Sequence, residues 1–96
     1  MMDVTNNKRQ YRFEIALPDG EFATLEYRWL RGSMVLMHTV VPVSQRGTGI
    51  GNALVKFVLD HARAHHLKII VYCPFVKIYL EKHPEYQDLV DPAHRN

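Results

Sequence analysis

The amino-acid sequence predicts an α+β fold with the element order β-β-β-α-β-α. Three observations carry this. Two runs near the start alternate apolar and polar residues, and a third is almost continuously apolar. A long stretch of helical spacing follows them. A short β-rich run and a second, shorter helical pattern complete the chain. Strands first and helices later describe an α+β domain, and a strand reached through a helix runs parallel to the one before it. The sheet is therefore expected to be mixed, with an antiparallel meander and one parallel pair.

Tyr11-Arg12-Phe13-Glu14-Ile15-Ala16-Leu17 places apolar side chains at every odd position, the period of a strand with one buried face. Pro18-Asp19-Gly20 is a turn signal. Ala23, Leu25, Tyr27 and Trp29 alternate with Thr24, Glu26 and Arg28 in a second strand, and Arg31-Gly32-Ser33 turns the chain again. Met34 to Val41 is interrupted only by His38 and Thr39, as in a strand buried on both faces. Pro42 ends it. Leu54, Phe57, Val58, His61, Ala62 and His65 then recur at helical spacing and predict the packed face of a helix. Lys68–Cys73 reads as the fourth strand and is stopped by Pro74. Val76, Tyr79, Leu80 and His83 mark a second helix, which Pro84 ends.

The chain has 96 residues, enough for one small domain. Residues 1–10 are expected to be a flexible N-terminus, 11–90 the domain and 91–96 a tail. A net charge of +2, with no interleaving of basic and aromatic residues, argues against a nucleic-acid partner. A single cysteine excludes an intrachain disulfide and suits a reducing compartment. Met1 to Gln10 is polar, and no stretch approaches the roughly 20 apolar residues that span a bilayer. A cytoplasmic location without membrane association is the expectation. The sheet is expected to expose an edge strand at Tyr11–Leu17, which dimerisation would protect.

Gln45-Arg46-Gly47-Thr48-Gly49-Ile50-Gly51 precedes the long helix. The first N–H groups of a helix lack partners within it, and its dipole adds partial positive charge there. Glycines remove the Cβ atoms that would hold an anion away, and Arg46 adds a fixed charge. These features predict a phosphate or diphosphate cradle. The glycines are spaced G-x-G-x-G, which is neither the G-x-G-x-x-G dinucleotide fingerprint nor a P-loop. A tight loop whose glycines only permit close packing is the alternative.

Arg46-Gly47-Thr48-Gly49-Ile50-Gly51 resembles the R/Q-x-x-G-x-G/A signature of the GNAT superfamily of acyl-CoA N-acyltransferases. His38-Thr39-Val40-Val41-Pro42, Tyr72-Cys73-Pro74-Phe75-Val76 and His83-Pro84-Glu85-Tyr86-Gln87-Asp88 look like its small single-domain members. The resemblance runs from about Tyr11 to Val90. It implies a minimal GNAT-like fold whose parallel strands, Met34–Val41 and Lys68–Cys73, splay apart to receive an acyl thioester. It also implies binding of acetyl-CoA or coenzyme A, with Arg46, Gly47, Thr48, Gly49, Ile50, Gly51 and Asn52 at the diphosphate and the backbone of Val41 and Val43 along the pantetheine arm.

Three residues are candidates for the chemistry. By the resemblance, Tyr79 protonates the departing thiolate; as a member of an amphipathic helix it is equally a core residue. Cys73, at a strand end, is either an acyl-accepting nucleophile or a small buried hydrophobe. His38 is either the base that deprotonates an amine or a hydrogen-bonded core histidine. His61 and His65 lie one turn apart with no carboxylate or cysteine to complete a metal set, so no metal site is expected. The chain also departs from larger members of the superfamily. Only a tight turn separates Leu17 from Phe22, where those members insert two helices, and nothing after Val90 is long enough for a final strand pair. An acetyltransferase acting on a small-molecule or peptide amine follows, its acceptor site completed by a homodimer or a partner protein. A coenzyme A-binding module acting through a protein partner is the second reading.

Overall fold

The computed structural model describes residues 3–94. The chain runs β1 (Val4–Asn7), β2 (Arg12–Ala16), β3 (Phe22–Leu30), β4 (Ser33–Val40), α1 (Ile50–Ala64), β5 (Ile69–Val71) and α2 (Pro74–Lys82), with 3-10 turns at Val43–Gln45, Pro84–Leu89 and Pro92–His94. The strands form one sheet in sequence order. Pairings are antiparallel from β1 to β4 and parallel between β4 and β5. The mixed α+β architecture is the predicted one, with one strand more.

That strand, β1, corrects the expectation of a flexible segment at Val4–Asn7; residues 1 and 2 of that expectation lie outside the described residues. Val4-Thr5-Asn6-Asn7 has little strand character, because asparagine is depleted in sheets. Tertiary bonds hold it instead: Tyr27 Oη donates to Asn6 Oδ1 at 2.7 Å, and Asn7 Nδ2 donates to Glu14 Oε2 at 3.1 Å. The edge expected at Tyr11–Leu17 is therefore covered, and β1 and β5 are the edges.

Alternation sorts the two faces of the sheet. Phe13, Ile15, Ala23, Leu25, Tyr27, Met34 and Leu36 are buried in one core with Leu54, Val58, Val76 and Tyr79 of the helices. α1 lies over β2, β3 and β4, and α2 over β4 and β5. No helix among the described residues covers the opposite face. Apart from buried Val35 and Ile70, that face carries a polar network in which Arg12 pairs with Glu14 and Arg28 with Glu26. One solvated face is normal for an antiparallel sheet. The hairpin joining β2 to β3 is tight, with Leu17 N–H donating to Glu21 O at 2.8 Å and Gly20 at φ 88°.

β4 is buried on both faces only over its first half, from Ser33 to Leu36. The register against β3 slips between Glu26 and Tyr27, so Met37 is an extra residue with no cross-strand partner. Without this bulge His38 would follow Met34 and Leu36 into the core. With it, Thr39 turns inward, and His38 and Val40 turn out.

The packed face of α1 is rotated from the predicted one. Val55 and Leu59 are fully buried beside Leu54, Val58 and Ala62, whereas Phe57 is 40% exposed and flanks the core with His61. Leu67 N–H donates to Ala62 O at 2.8 Å, and His66 takes a left-handed φ of 55° to end the helix. Leu59→Ala should cost about 2–5 kcal/mol in urea unfolding and Phe57→Ala distinctly less; the reverse order would fit the face predicted from spacing.

Candidate functional site

The parallel pair ends at a single carbonyl. Met34, Val35 and Leu36 of β4 pair with Ile69, Ile70 and Val71 of β5. Leu36 O then accepts from both Tyr72 N–H at 3.0 Å and Cys73 N–H at 3.1 Å. Pro74 opens α2 at that point, with Cys73 as its N-cap. β4 continues to Val40 with no β5 partner, so the strands form a wedge, and its outward main-chain groups are open to a ligand.

A cavity of about 680 Å³ lies at the mouth of this wedge. Thr39, Val40 and Val41 come from the end of β4; Gly47, Gly49 and Gly51 come from the loop and the start of α1. Phe75, Gln45, Arg46, Ile50 and Asn52 also contribute to the wall. The main-chain N–H groups of Gly47, Gly49, Ile50, Gly51 and Asn52 make no hydrogen bond to any described residue. No acidic residue stands in the first turn of α1, and its N-cap, Gly49, has no capping side chain. A helix end left so bare is an anion site. The residues present thus fit a diphosphate.

The three glycines answer to different needs. Gly47 and Gly49 hold φ of 81° and 88°, a left-handed conformation that L side chains rarely adopt, and a Cβ at either would meet nothing within 4 Å. Gly51 is an ordinary helical residue, but a Cβ there would come within 2.9 Å of the Phe75 ring. It lets the starts of α1 and α2 close on each other. The close-packing reading of the loop therefore applies at Gly51, while Gly47 and Gly49 are required by backbone conformation.

Arg46 Nε donates to Val41 O at 3.3 Å, which ties the guanidinium to the end of β4. Thr48 Oγ1 donates to Gln45 O at 2.6 Å, and Thr48 is not part of the cavity wall. Val43 is also off the wall; it sits in the 3-10 turn, 76% exposed. The expected cofactor-binding residues are otherwise assembled: Val41, Arg46, Gly47, Gly49, Ile50, Gly51 and Asn52 all line the cavity. Thr39, Val40, Gln45 and Phe75 were not anticipated. The need of Gly51 for a close neighbour was the one sequence signal for Phe75.

The candidates for chemistry are spread out. Cys73 is buried, and its Sγ is hydrogen-bonded to Thr39 Oγ1 at 3.3 Å, at the apex of the wedge. Tyr79 lies one and a half turns into α2 and does not line the cavity. Its ring stacks on His83 with centroids 3.9 Å apart, and its hydroxyl has no hydrogen bond to the described residues. Burial pushes its pKa up; Lys56 opposes the shift, while Asp60 and Glu85 add to it. His38 is not a core histidine: its side chain is 68% exposed and faces Glu26. His61 and His65 stack at 4.2 Å, and burial, then the neighbouring His65, lowers the His61 pKa. Among the described residues no group of three or more His, Cys, Asp or Glu could hold a metal. A second cavity, about 540 Å³, lies between β5, α2 and the C-terminal turns. Two of its polar groups are engaged within the chain, Gln87 with Leu80 O and Asp88 with Arg63.

A family of sequences described as GCN5-related N-acetyl-transferase matches residues 12–89, most of the chain and the whole of the wedge and loop. The chain belongs to the GCN5-related N-acetyltransferase family. Protein NATD1 of Homo sapiens is 30% identical over 93 residues, covering 93% of this chain and 82% of the human protein. Protein NATD1 of Gallus gallus is 29% identical over 85 residues, covering 86% of this chain and 77% of that one. The NMR solution structure of a GCN5-like protein from Staphylococcus aureus superposes with a TM-score of 0.68 at 30% identity, covering 93% of this chain and 87% of that one. The fold, with its splayed strands, is thus that of a GCN5-related N-acetyltransferase. No helix of the described residues is long and apolar enough to cross a membrane.

Gly51→Ala should destabilise the chain by about 1–3 kcal/mol through its clash with Phe75. In urea unfolding the double substitution with Phe75→Ala should cost less than the sum of the two singles. Strict additivity would show that the two positions do not meet.

Proposed function

We propose that the chain is an acetyl-CoA-dependent N-acetyltransferase that acts on a primary amine. The observation that carries this is the row of five unbonded amides facing the cavity, in a chain of this family. Gly47, Gly49, Ile50, Gly51 and Asn52 donate N–H groups to diphosphate oxygens, and Arg46 supplies a fixed positive charge beside them. Val41 and Phe75 flank the pantetheine arm. Acetyl-CoA supplies an activated acyl thioester when bound. The main chain of β4 beyond Leu36 orients the carbonyl, and an amine attacks from the open side of the wedge.

Tyr79 is the proposed proton donor to the leaving thiolate, which it would reach by turning off His83 or through one water, because its ring lies outside the cavity wall. Cys73 has no covalent role in this reading: it is buried, and its sulfur is held by Thr39. A coenzyme A-binding module that works through a partner protein is the second reading. The bare second face of the sheet favours it, because no helix among the described residues covers the side from which an acceptor would come.

Calorimetry should show saturable binding of acetyl-CoA and of coenzyme A, weakened about tenfold by Arg46→Ala. No heat at millimolar ligand would overturn the proposal. Thiol release with a panel of primary amines separates an enzyme from a binding module. Tyr79→Phe should lower kcat about 100-fold with affinity for acetyl-CoA unchanged, and Cys73→Ala should stay active. A stable acetyl adduct on Cys73 during turnover would contradict the direct route.

A further inference from the structure

We propose that the acceptor is a weakly basic aromatic amine, which meets the thioester as the free base, rather than an alkylammonium or a polyamine. This rests on the acetyltransferase reading above and names its second substrate. Among the described residues the loop cavity has one charged side chain in its wall, Arg46, which keeps its proton at any physiological pH. The rest of the wall is apolar, hydroxyl, amide or glycine. An ammonium cannot attack a carbonyl until it loses a proton, and this wall offers no carboxylate or imidazole to take it. Burying an ammonium against such a wall is also costly.

The fork of the strands supplies the aromatic half of the proposal. Thr39 Oγ1 and Cys73 Sγ are hydrogen-bonded across it at 3.3 Å, so their chain neighbours Val40 and Tyr72 flank one point. Both neighbours are bulky and open. Val40 is 55% exposed and lines the cavity, and Tyr72 is 61% exposed where β5 leaves β4. Phe75, three residues on from Tyr72, belongs to the cavity wall. Large side chains left bare together beside a cavity mark a ligand surface. A tyrosine ring offers a flat face to another aromatic ring. A cation held over the same ring would keep its proton, and the amine would stay unreactive. His38, the other outward side chain of β4 past Leu36, faces Glu26 at 3.9 Å and is not part of the wall.

An arylamine needs no base to begin. Its nitrogen lone pair is shared with the ring, so the nitrogen is unprotonated at neutral pH. That lone pair attacks the thioester carbonyl carbon. The C–N bond forms and the C–S bond breaks, its electron pair leaving on sulfur. The attacking nitrogen then carries one proton too many, and that proton ends on the sulfur. The products are a neutral anilide and a thiol, with no proton left over.

Aniline, benzylamine and cyclohexylamine test this with the full chain and acetyl-CoA, read by thiol release above the uncatalysed rate. Aniline is a free base at neutral pH. Benzylamine carries the same ring and cyclohexylamine a ring of similar size, but both are ammonium ions. At about pH 7 aniline should exceed each of the others by about 100-fold or more in kcat/KM. Its rate should stay flat from about pH 6.5 to 8.5, while theirs climb about tenfold per pH unit with the free amine. Val40→Glu places a carboxylate at the fork and should narrow the aniline preference about tenfold or more; Val40→Leu should leave it in place. A preference for either ammonium, an aniline rate that climbs with pH, or an aniline preference untouched by Val40→Glu would overturn the proposal. Should Val40→Glu unfold, the three pH profiles decide alone. Binding of acetyl-CoA by calorimetry with turnover of none of the three amines overturns this proposal and leaves the binding site standing. No binding at all removes the acetyltransferase reading and this proposal with it.

Discussion

The first N–H groups of a helix have no partner within it, and here the glycine loop extends that set to five within one short segment, from Gly47 to Asn52. They are held by geometry on both sides. Two left-handed glycines bend the chain so that the amides converge, and α1 fixes the last three as the open end of its hydrogen-bond ladder. α1 is anchored in turn by Leu54, Val55, Val58 and Leu59, all fully buried against the sheet. The core therefore holds a set of donors in place before any ligand arrives, so little of the binding free energy goes to ordering them.

The second element of the site comes from how two strands separate. Leu36 O accepts from two successive amides, so β5 stops pairing and α2 begins. β4 does not stop there. It carries its bulge at Met37 and runs on to the loop. One side of the resulting gap is walled by the loop and by Phe75, which reaches the loop only because Gly51 has no Cβ. The other side is a sheet face left bare by the short β2–β3 hairpin. A ligand with a diphosphate at one end and a reactive group at the other can enter from the helix side and meet a second reactant from the bare side.

Much of this was legible in the sequence because it depends on local period. Phe13, Ile15 and Leu17 announce β2, Leu25 and Tyr27 announce β3, and the glycine loop before a helical pattern announces the anion cradle. What was not legible depends on contacts between distant residues. β1 is fixed by Asn6 on Tyr27, 21 residues away, and by Asn7 on Glu14 across a hairpin that periodicity does not announce. The bulge lies within a run of apolar residues where Met37 suits either face, so the exposure of His38 could not be read from alternation. Phe57 fits the helical spacing as well as Leu59 does, and only the position of the sheet decides between them. Tyr79 stacks on His83, the C-cap of α2, and is not part of the cavity wall, which spacing alone did not reveal.

The central claim is that these five amides, rather than the second cavity beside β5 and the C-terminal turns, receive a diphosphate. A residue-resolved NMR titration of backbone amides tests it most directly. Coenzyme A should move the signals of Gly47, Gly49, Ile50, Gly51 and Asn52 saturably, and pantetheine, which lacks the diphosphate, should leave them nearly still. Signals that stay put with coenzyme A, or shifts gathered instead around Gln87 and His94, would contradict the account.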